Sequence, residues 1–305
     1  MPVASTILMI RPAAFGFNEQ TAANNFFQQS TSADKGEIQQ QVLSEFDNMV
    51  QQLVNQDIEV IVIEDSADPP KPDAIFPNNW FCTFPSGIIS VFPMYAPNRR
   101  IEKRDDILQW LVENFQTTGF EDWSEYEAEG RFLEGTGSMV IDHNHRIIYA
   151  CLSERTNLTI LEKFALGHGY HAITFNAADK NGRAIYHTNV MMCVGDRFAV
   201  ICSEAITDET ERIAVTQLLE STGHEIITIT LEQMHLFAGN MLQLQNIHGD
   251  RFIVASKSAW DSLETAQRKK IQSFAMPIII PVPTIEKIEG GSVRCMMAEL
   301  FLQGK

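Results

Sequence analysis

Apolar and polar positions fall into blocks along this chain, and one block pattern recurs. A small polar residue is followed by a short apolar strand, a turn and a second apolar strand. Copies read NNWFCTFPSGIISVFPMYA from Asn78, GSMVIDHNHRIIYACLSERTN from Gly137, TNVMMCVGDRFAVICSEAI from Thr188 and GNMLQLQNIHGDRFIVASKSAW from Gly239. A half-copy, GSVRCMMAELFL, starts at Gly291. The matching polar residues are Asn79, Ser138, Asn189, Asn240 and Ser292, spaced 59, 51, 51 and 52 residues apart. Turn chemistry at Asp142-His143-Asn144, Gly195-Asp196 and Gly249-Asp250 predicts a hairpin in each copy.

Between hairpins the apolar period changes to that of a helix. The spacing predicts helices over 105–115, 208–219 and 260–274. Further strands are predicted at 58–63, 171–175, 225–229 and 277–282, so the unit is hairpin, helix, strand. The last hairpin lacks its second strand, and the N-terminal run 5–11 can supply it. Joining both ends of the chain in one sheet removes exposed edges. The expectation is one α/β domain over residues 1–305, a five-bladed propeller with pseudo-fivefold repeats closed by the N- and C-terminal strands. Its five polar positions should face a common axis.

Composition narrows the partners. The chain has 305 residues, 45% of them hydrophobic, with 23 Lys plus Arg against 39 Asp plus Glu and a net charge of −16. Such a chain repels phosphate backbones and anionic membranes, so neither nucleic acid nor a membrane surface is an expected partner. Five scattered cysteines without a C-x-x-C pair read as reduced thiols, and the start of the chain reads as neither signal peptide nor membrane span. A cytoplasmic protein is expected. A homo-oligomer is compatible with the sequence, which does not specify one.

The ring would gather residues that are far apart in sequence. Glu134 precedes Ser138 in FLEGTGSM, His187 precedes Asn189 in YHTNV, Asn79 ends FPNN, and Cys295 follows Ser292 in GGSVRCM. A thiol, an imidazole and a carboxylate in one polar hole make a nucleophilic site: the thiolate attacks, histidine moves protons, and the carboxylate holds or protonates a nitrogen. Cys82, Cys151, Cys193 and Cys202 read instead as small buried hydrophobes. Cys295 differs because Gly290-Gly291 before it permits close backbone approach. His168 and His171 have metal-pair spacing but no carboxylate partner on a helix, so no metal site is read, and no cofactor.

The combination LEGTGS, LSERTN, H-T-N and GGSVRC resembles the superfamily of amidinotransferases, arginine deiminases and dimethylarginine hydrolases. Members share the five-bladed α/β propeller. The likeness runs from PDAIFPNN at Pro72 to GGSVRCM at Met296. It implies Cys295 as the nucleophile that forms a covalent thio-intermediate, His187 as general acid and base, and Glu134 as a ligand of the substrate nitrogens. It also implies Arg155 as a binder of the substrate α-carboxylate, through bidentate guanidinium pairing. Arg99 or Arg100 in APNRR would be a second clamp.

The chain departs from that pattern at two carboxylates. Guanidine-processing members carry P-D-x-x-F-x-x-D and H-x-D. Here the first motif runs from Pro72 and Asp73 through Asn78 to Asn79, and the second reads His187-Thr188-Asn189. Two amides suit a neutral group offering donors and an acceptor better than they suit a cation. The expected substrate is therefore a ureido amino acid, most simply citrulline, cleaved to ornithine, ammonia and carbon dioxide. Two alternatives stand beside it. One is arginine deiminase or amidinotransferase activity on a guanidino substrate. The other is a non-enzymatic binding module, because the ring also resembles a translation-factor fold that carries no catalytic cysteine.

Overall fold

The computed structural model describes residues 3–305; Met1 and Pro2 of the expected domain lie outside the described residues. Five three-stranded sheets follow one plan, an antiparallel pair joined by a parallel third strand. In chain order the first four are Phe81–Thr83, Ile88–Val91 and Gly119–Asp122; Val140–Asp142, Ile147–Cys151 and His171–Phe175; Met192–Val194, Phe198–Ile201 and Glu225–Thr228; and Leu242–Gln245, Arg251–Ser256 and Met276–Ile280. The terminal sheet is made from both ends of the chain. Thr6–Arg11 pairs antiparallel with Ala298–Leu300, Leu8 opposite Ala298, and parallel with Glu59–Glu64, Thr6 opposite Glu59. The N-terminal strand thus completes the half-copy, as its apolar run predicted.

The third strand of each sheet is reached through a helix, because a parallel neighbour needs a crossover. Lys35–Val54 is the longest. It turns Ile38, Val42, Phe46, Met49 and Leu53 onto the terminal sheet at helical spacing, and Asp34 caps it by accepting from the Gly36 and Glu37 amides. Each such fully buried side chain contributes roughly 1.5–3 kcal/mol. Helices Asp105–Asn114 and Glu209–Ser221 match their predicted positions. The predicted helix over 260–274 is instead two, Lys257–Ser262 and Thr265–Gln272. Ser256 caps the first, and Glu264 with Gln267 forms a capping box that starts the second, so the apolar period carries across a break.

The repeated polar residues sit in short turns that lead into the first strand of each sheet. Pro77–Asn79, Gly135–Ser138 and Thr188–Met191 are single helical turns. Hydrogen bonds join one turn to the next: Asn78 Nδ2 donates to Thr136 Oγ1 (3.2 Å), Thr188 Oγ1 to the Ser138 carbonyl (2.6 Å), Asn240 Nδ2 to the Asn189 carbonyl (3.0 Å), and the Arg294 amide to Asn240 Oδ1 (3.1 Å). At the far end of its strand, Thr83 bonds to the C-terminal strand Ala298–Leu300 and the residue after it, its hydroxyl donating to the Glu299 carbonyl and accepting from the Phe301 amide. Among the described residues no helix is long and apolar enough to cross a membrane.

Candidate active site

Cys295 lies in the turn after helix Pro283–Glu289. That turn needs both glycines. Gly290 has φ +61°, and a Cβ there would sit 2.7 Å from Phe27 Cβ; one on Gly291 would sit 2.6 Å from the Phe76 ring. Tyr186 ties the turn down by donating its hydroxyl to the Gly290 carbonyl at 2.9 Å. The Cys295 thiol is buried and faces two amides, Asn240 Nδ2 at 3.4 Å and Asn189 Nδ2 at 3.5 Å. The other four cysteines are free and buried; burial pushes Cys151, Cys193 and Cys202 up to about 12 and Cys82 well above its usual value.

His187 caps the turn Thr188–Met191, with Nε2 2.7 Å from Glu134 Oε2. Burial pushes the ring down to about 4, against the pull of Glu134 and with the help of the Arg155 and Arg99 charges. Glu134 is fully buried. Burial alone would raise its carboxyl, but the Arg155 charge, the His187 bond and the Arg99 charge hold it well below the usual carboxylate range. Its other oxygen accepts from the Tyr95 amide at 2.9 Å. Both Glu134 oxygens are therefore occupied by protein groups.

Arg155 is buried, its guanidinium 4.8 Å from the Tyr186 ring centroid and its Nη1 3.5 Å from Glu134. Its remaining donors reach Asn24 Oδ1 and the Thr21 carbonyl. Arg99 and Arg100, which the sequence did not separate, point different ways. Arg99 is buried among Glu102 (2.8 Å), Asp73 (3.2 Å) and Asn79 Oδ1 (3.0 Å). Arg100 turns outward to the Met94 carbonyl and Glu127.

Asp73, Asn79, Arg99, Arg155, His187 and Cys295 line one cavity of about 20 Å³. Three of the lining residues carry a buried polar atom without a hydrogen-bond partner: Asp73 Oδ1, Asn79 Nδ2 and Glu289 Oε1. Unpaired buried polar atoms are costly, and three in one lining mark a ligand-binding hole. Asn189 Oδ1 and Asn78 Oδ1 are also unpartnered, but those residues lie outside this lining, and Asn189 borders a neighbouring cavity. Asn78 is held back from the cavity by its bond to Thr136.

The sequence singles out neither Asn25, Phe76, Tyr186 nor Glu289 as site residues, and it marks Asn240 only as a repeat position. Glu289 lies beside Asp73, and burial plus the Asp73 charge pushes its carboxyl well up. Its only signal was adjacency to Gly290-Gly291. Asn240 bonds the Cys295 thiol, and its signal was the repeat position itself. His168 bonds Glu121 at 2.9 Å and stacks on Phe84, while His171 starts strand His171–Phe175.

Solved structures share this architecture. Arginine dihydrolase ArgZ of the ornithine-ammonia cycle in cyanobacteria superposes with TM-score 0.75 at 16% identity over 96% of this chain. This chain spans 40% of the length of that protein and 97% of its N-terminal domain. The ternary complex of AgrE with ornithine and NAD+ gives 0.72 at 14% identity, over 96% of this chain and 39% of that one. A dimethylarginine dimethylaminohydrolase adduct with S-methyl-L-thiocitrulline gives 0.65 at 16% identity, over 97% and 100%. No curated protein sequence matches significantly. The model of the family described as N,N dimethylarginine dimethylhydrolase, eukaryotic, matches residues 11–302, and the chain belongs to that family, within the pentein superfamily of amidinotransferases and dimethylarginine hydrolases.

Proposed function

We propose that this protein hydrolyses a ureido amino acid, most simply citrulline, at a cysteine-centred site. The observation that carries the reading is that two amides replace carboxylates around the thiol: Asn189, whose Nδ2 is 3.5 Å from it, and Asn79, which lines the same cavity as Cys295. Asn189 Oδ1 and Asn79 Nδ2 are buried without partners, one an acceptor and one a donor. A ureido group presents N–H donors and one carbonyl oxygen, which match that pair; a guanidinium presents donors only. Asn189 Nδ2 and Asn240 Nδ2 at the sulfur suit a thiolate, and a donor at Asn79 suits the oxyanion formed on attack.

The chemistry balances with one water. His187 takes the proton of the Cys295 thiol, the thiolate attacks the ureido carbon and the bond to one nitrogen breaks, that nitrogen leaving with the same proton from His187. Water, deprotonated by His187, attacks the remaining thio-intermediate and restores the thiol. Carbamate chemistry then yields ornithine, ammonia and carbon dioxide overall. Arg155 binds the substrate carboxylate once Asn24 yields its place. Glu134 positions His187 in the closed site, and engages substrate nitrogens only as that bond loosens. Arg99 neutralises Asp73 and Glu102 and holds Asn79.

The same proposal reads the five sheets as blades of one closed α/β propeller, a single catalytic domain over residues 1–305. The turn-to-turn hydrogen bonds and the shared terminal sheet support that closure. The partner is a small amino acid, and the compartment is the cytoplasm.

Hydrolysis of arginine is the second reading. Asp73 and Glu289 are adjacent buried carboxyl groups that a guanidinium would satisfy, and the similar ArgZ is an arginine dihydrolase. Separate incubation with citrulline, with arginine, and with arginine plus glycine decides. Ornithine release from citrulline alone is expected, and turnover of arginine without citrulline overturns the ureido reading.

A further inference from the structure

Away from Cys295, three side chains converge at the turn end of the second sheet. Asp142 closes the first strand of that hairpin and His145 lies in its turn. His224 precedes strand Glu225–Thr228 of the neighbouring sheet. His145 Nδ1 is 2.7 Å and His224 Nε2 is 3.7 Å from Asp142 Oδ2, and the three ligand atoms lie within 4.8 Å of one another. Asp142 and the His224 side chain are fully buried; His145 closes the group from the solvent side.

His224 Nδ1 lies 3.0 Å from the Thr222 hydroxyl, and its Nε2 faces two oxygens, the Gly195 carbonyl at 3.1 Å and Asp142 Oδ2 at 3.7 Å. In the tautomer with the proton on Nδ1, Thr222 Oγ1 accepts it and Nε2 presents its lone pair to the group. Thr222 then orients His224 as the outer partners of ligating histidines do. The buried Tyr149 hydroxyl lies on the same face of the hairpin, near Asp142 and Thr222.

We infer that Asp142, His145 and His224, with the Gly195 carbonyl as a fourth ligand, form a binding site for a divalent cation of the zinc class. Two imidazoles, a carboxylate and a carbonyl are a borderline donor set that suits Zn²⁺ and Co²⁺ better than Mg²⁺ or Ca²⁺. The ion clamps the hairpin turn of one sheet to the strand start of the next. The inference is independent of the chemistry proposed at Cys295.

The test uses the full chain as Cys295→Ser, so that the thiol cannot take the metal, after dialysis against a chelator. Calorimetric titration with Zn²⁺ alone should show one equivalent bound and a raised Tm. Co²⁺ should give visible d–d absorption without a thiolate charge-transfer band. His145→Ala and His145→Asn, at a partly exposed position, should fold with the chelated protein's Tm and lose the equivalent. Thr222→Val should weaken binding about tenfold. Absence of bound Zn²⁺ in the Cys295→Ser protein, or undiminished binding in the His145 variants, overturns the site and leaves a histidine–aspartate hydrogen bond at the hairpin turn.

Discussion

His187 Nε2 lies 2.7 Å from Glu134 Oε2, and both side chains are buried. A carboxylate only accepts, so Nε2 carries the proton and the neutral ring keeps its lone pair on Nδ1, beside Gly137 and the Asn79 amide. With the ring pushed down to about 4, it is an unprotonated base throughout the neutral range. The acid limb of kcat/KM for citrulline should therefore have an apparent pKa near 4, and Glu134→Gln should move it lower. A limb at the ordinary 6.5 would count against this environment. Stability follows the same sign. Between about 4 and 6.5 the unfolded ring holds a proton that the folded ring does not, so this contribution rises with pH and is lost as pH falls through that window.

Cys295→Ser should lower turnover by at least about 10³-fold while leaving Tm nearly unchanged, since losing a nucleophile removes the whole reaction path. Iodoacetamide should label Cys295 ahead of the other four thiols, which burial holds protonated. Full activity in the serine variant refutes the nucleophile assignment.

The two asparagines test substrate choice. Asn79→Asp would set a carboxylate against Arg99 Nη1, at present 3.0 Å from Asn79 Oδ1, so the fold should tolerate it. Asn189→Asp would exchange a donor 3.5 Å from the thiol for a negative charge. Together they should lower kcat on citrulline by about 10²–10³, the usual loss for an oxyanion donor, and strengthen arginine binding. Unchanged citrulline kinetics in the double variant would show that these amides do not touch the ureido group.

Much of this was legible in the sequence because repetition and covalent order carry it. The spacing of Asn79, Ser138, Asn189, Asn240 and Ser292 located the inter-unit turns, and Cys295, His187 and Arg155 meet at one cavity. What failed to show was pairing through space. Arg99 and Arg100 are adjacent and alike in type, yet one is enclosed by Asp73 and Glu102 and the other faces Glu127; local pattern cannot say which way the short 3₁₀ helix Pro97–Glu102 rotates. Glu289 and the residues 18–29 carry no motif, and their place depends on chain crossings more than 100 residues apart.

Gly137 separates catalytic geometry from stability. A Cβ there would lie 2.4 Å from Asn79 Nδ2 and 2.8 Å from His187 Nδ1, both side-chain atoms lining the reaction site. Gly137→Ala should cost about 1–3 kcal/mol as overpacking, and should reduce kcat far more than that loss of Tm suggests, because the base is displaced. Gly290→Ala, strained at φ +61° and packed on Phe27, should instead lower Tm first. Equal activity losses at matched stability would deny Gly137 a special place beside the base.

The cavity at Cys295 has about 20 Å³, room for about one or two waters and not for an amino acid. The segment 18–29 closes it: Asn18 bonds Asp73 at 2.9 Å, Asn24 holds Arg155, Asn25 bonds the Glu289 carbonyl at 2.8 Å and the Gln29 amide the Lys287 carbonyl at 2.8 Å. A substrate amino acid needs more room than this cavity has, and opening of the segment is the expected way to provide it, for substrate and thiol reagent alike. Removing one tie changes the opening equilibrium by roughly 1 kcal/mol, so Asn25→Ala should speed iodoacetamide labelling of Cys295 about fivefold. Citrulline should slow labelling in both proteins by refilling the site and restoring closure through Arg155. If labelling is equally fast in wild type and Asn25→Ala, the segment does not gate the thiol, and access must come from elsewhere in the fold.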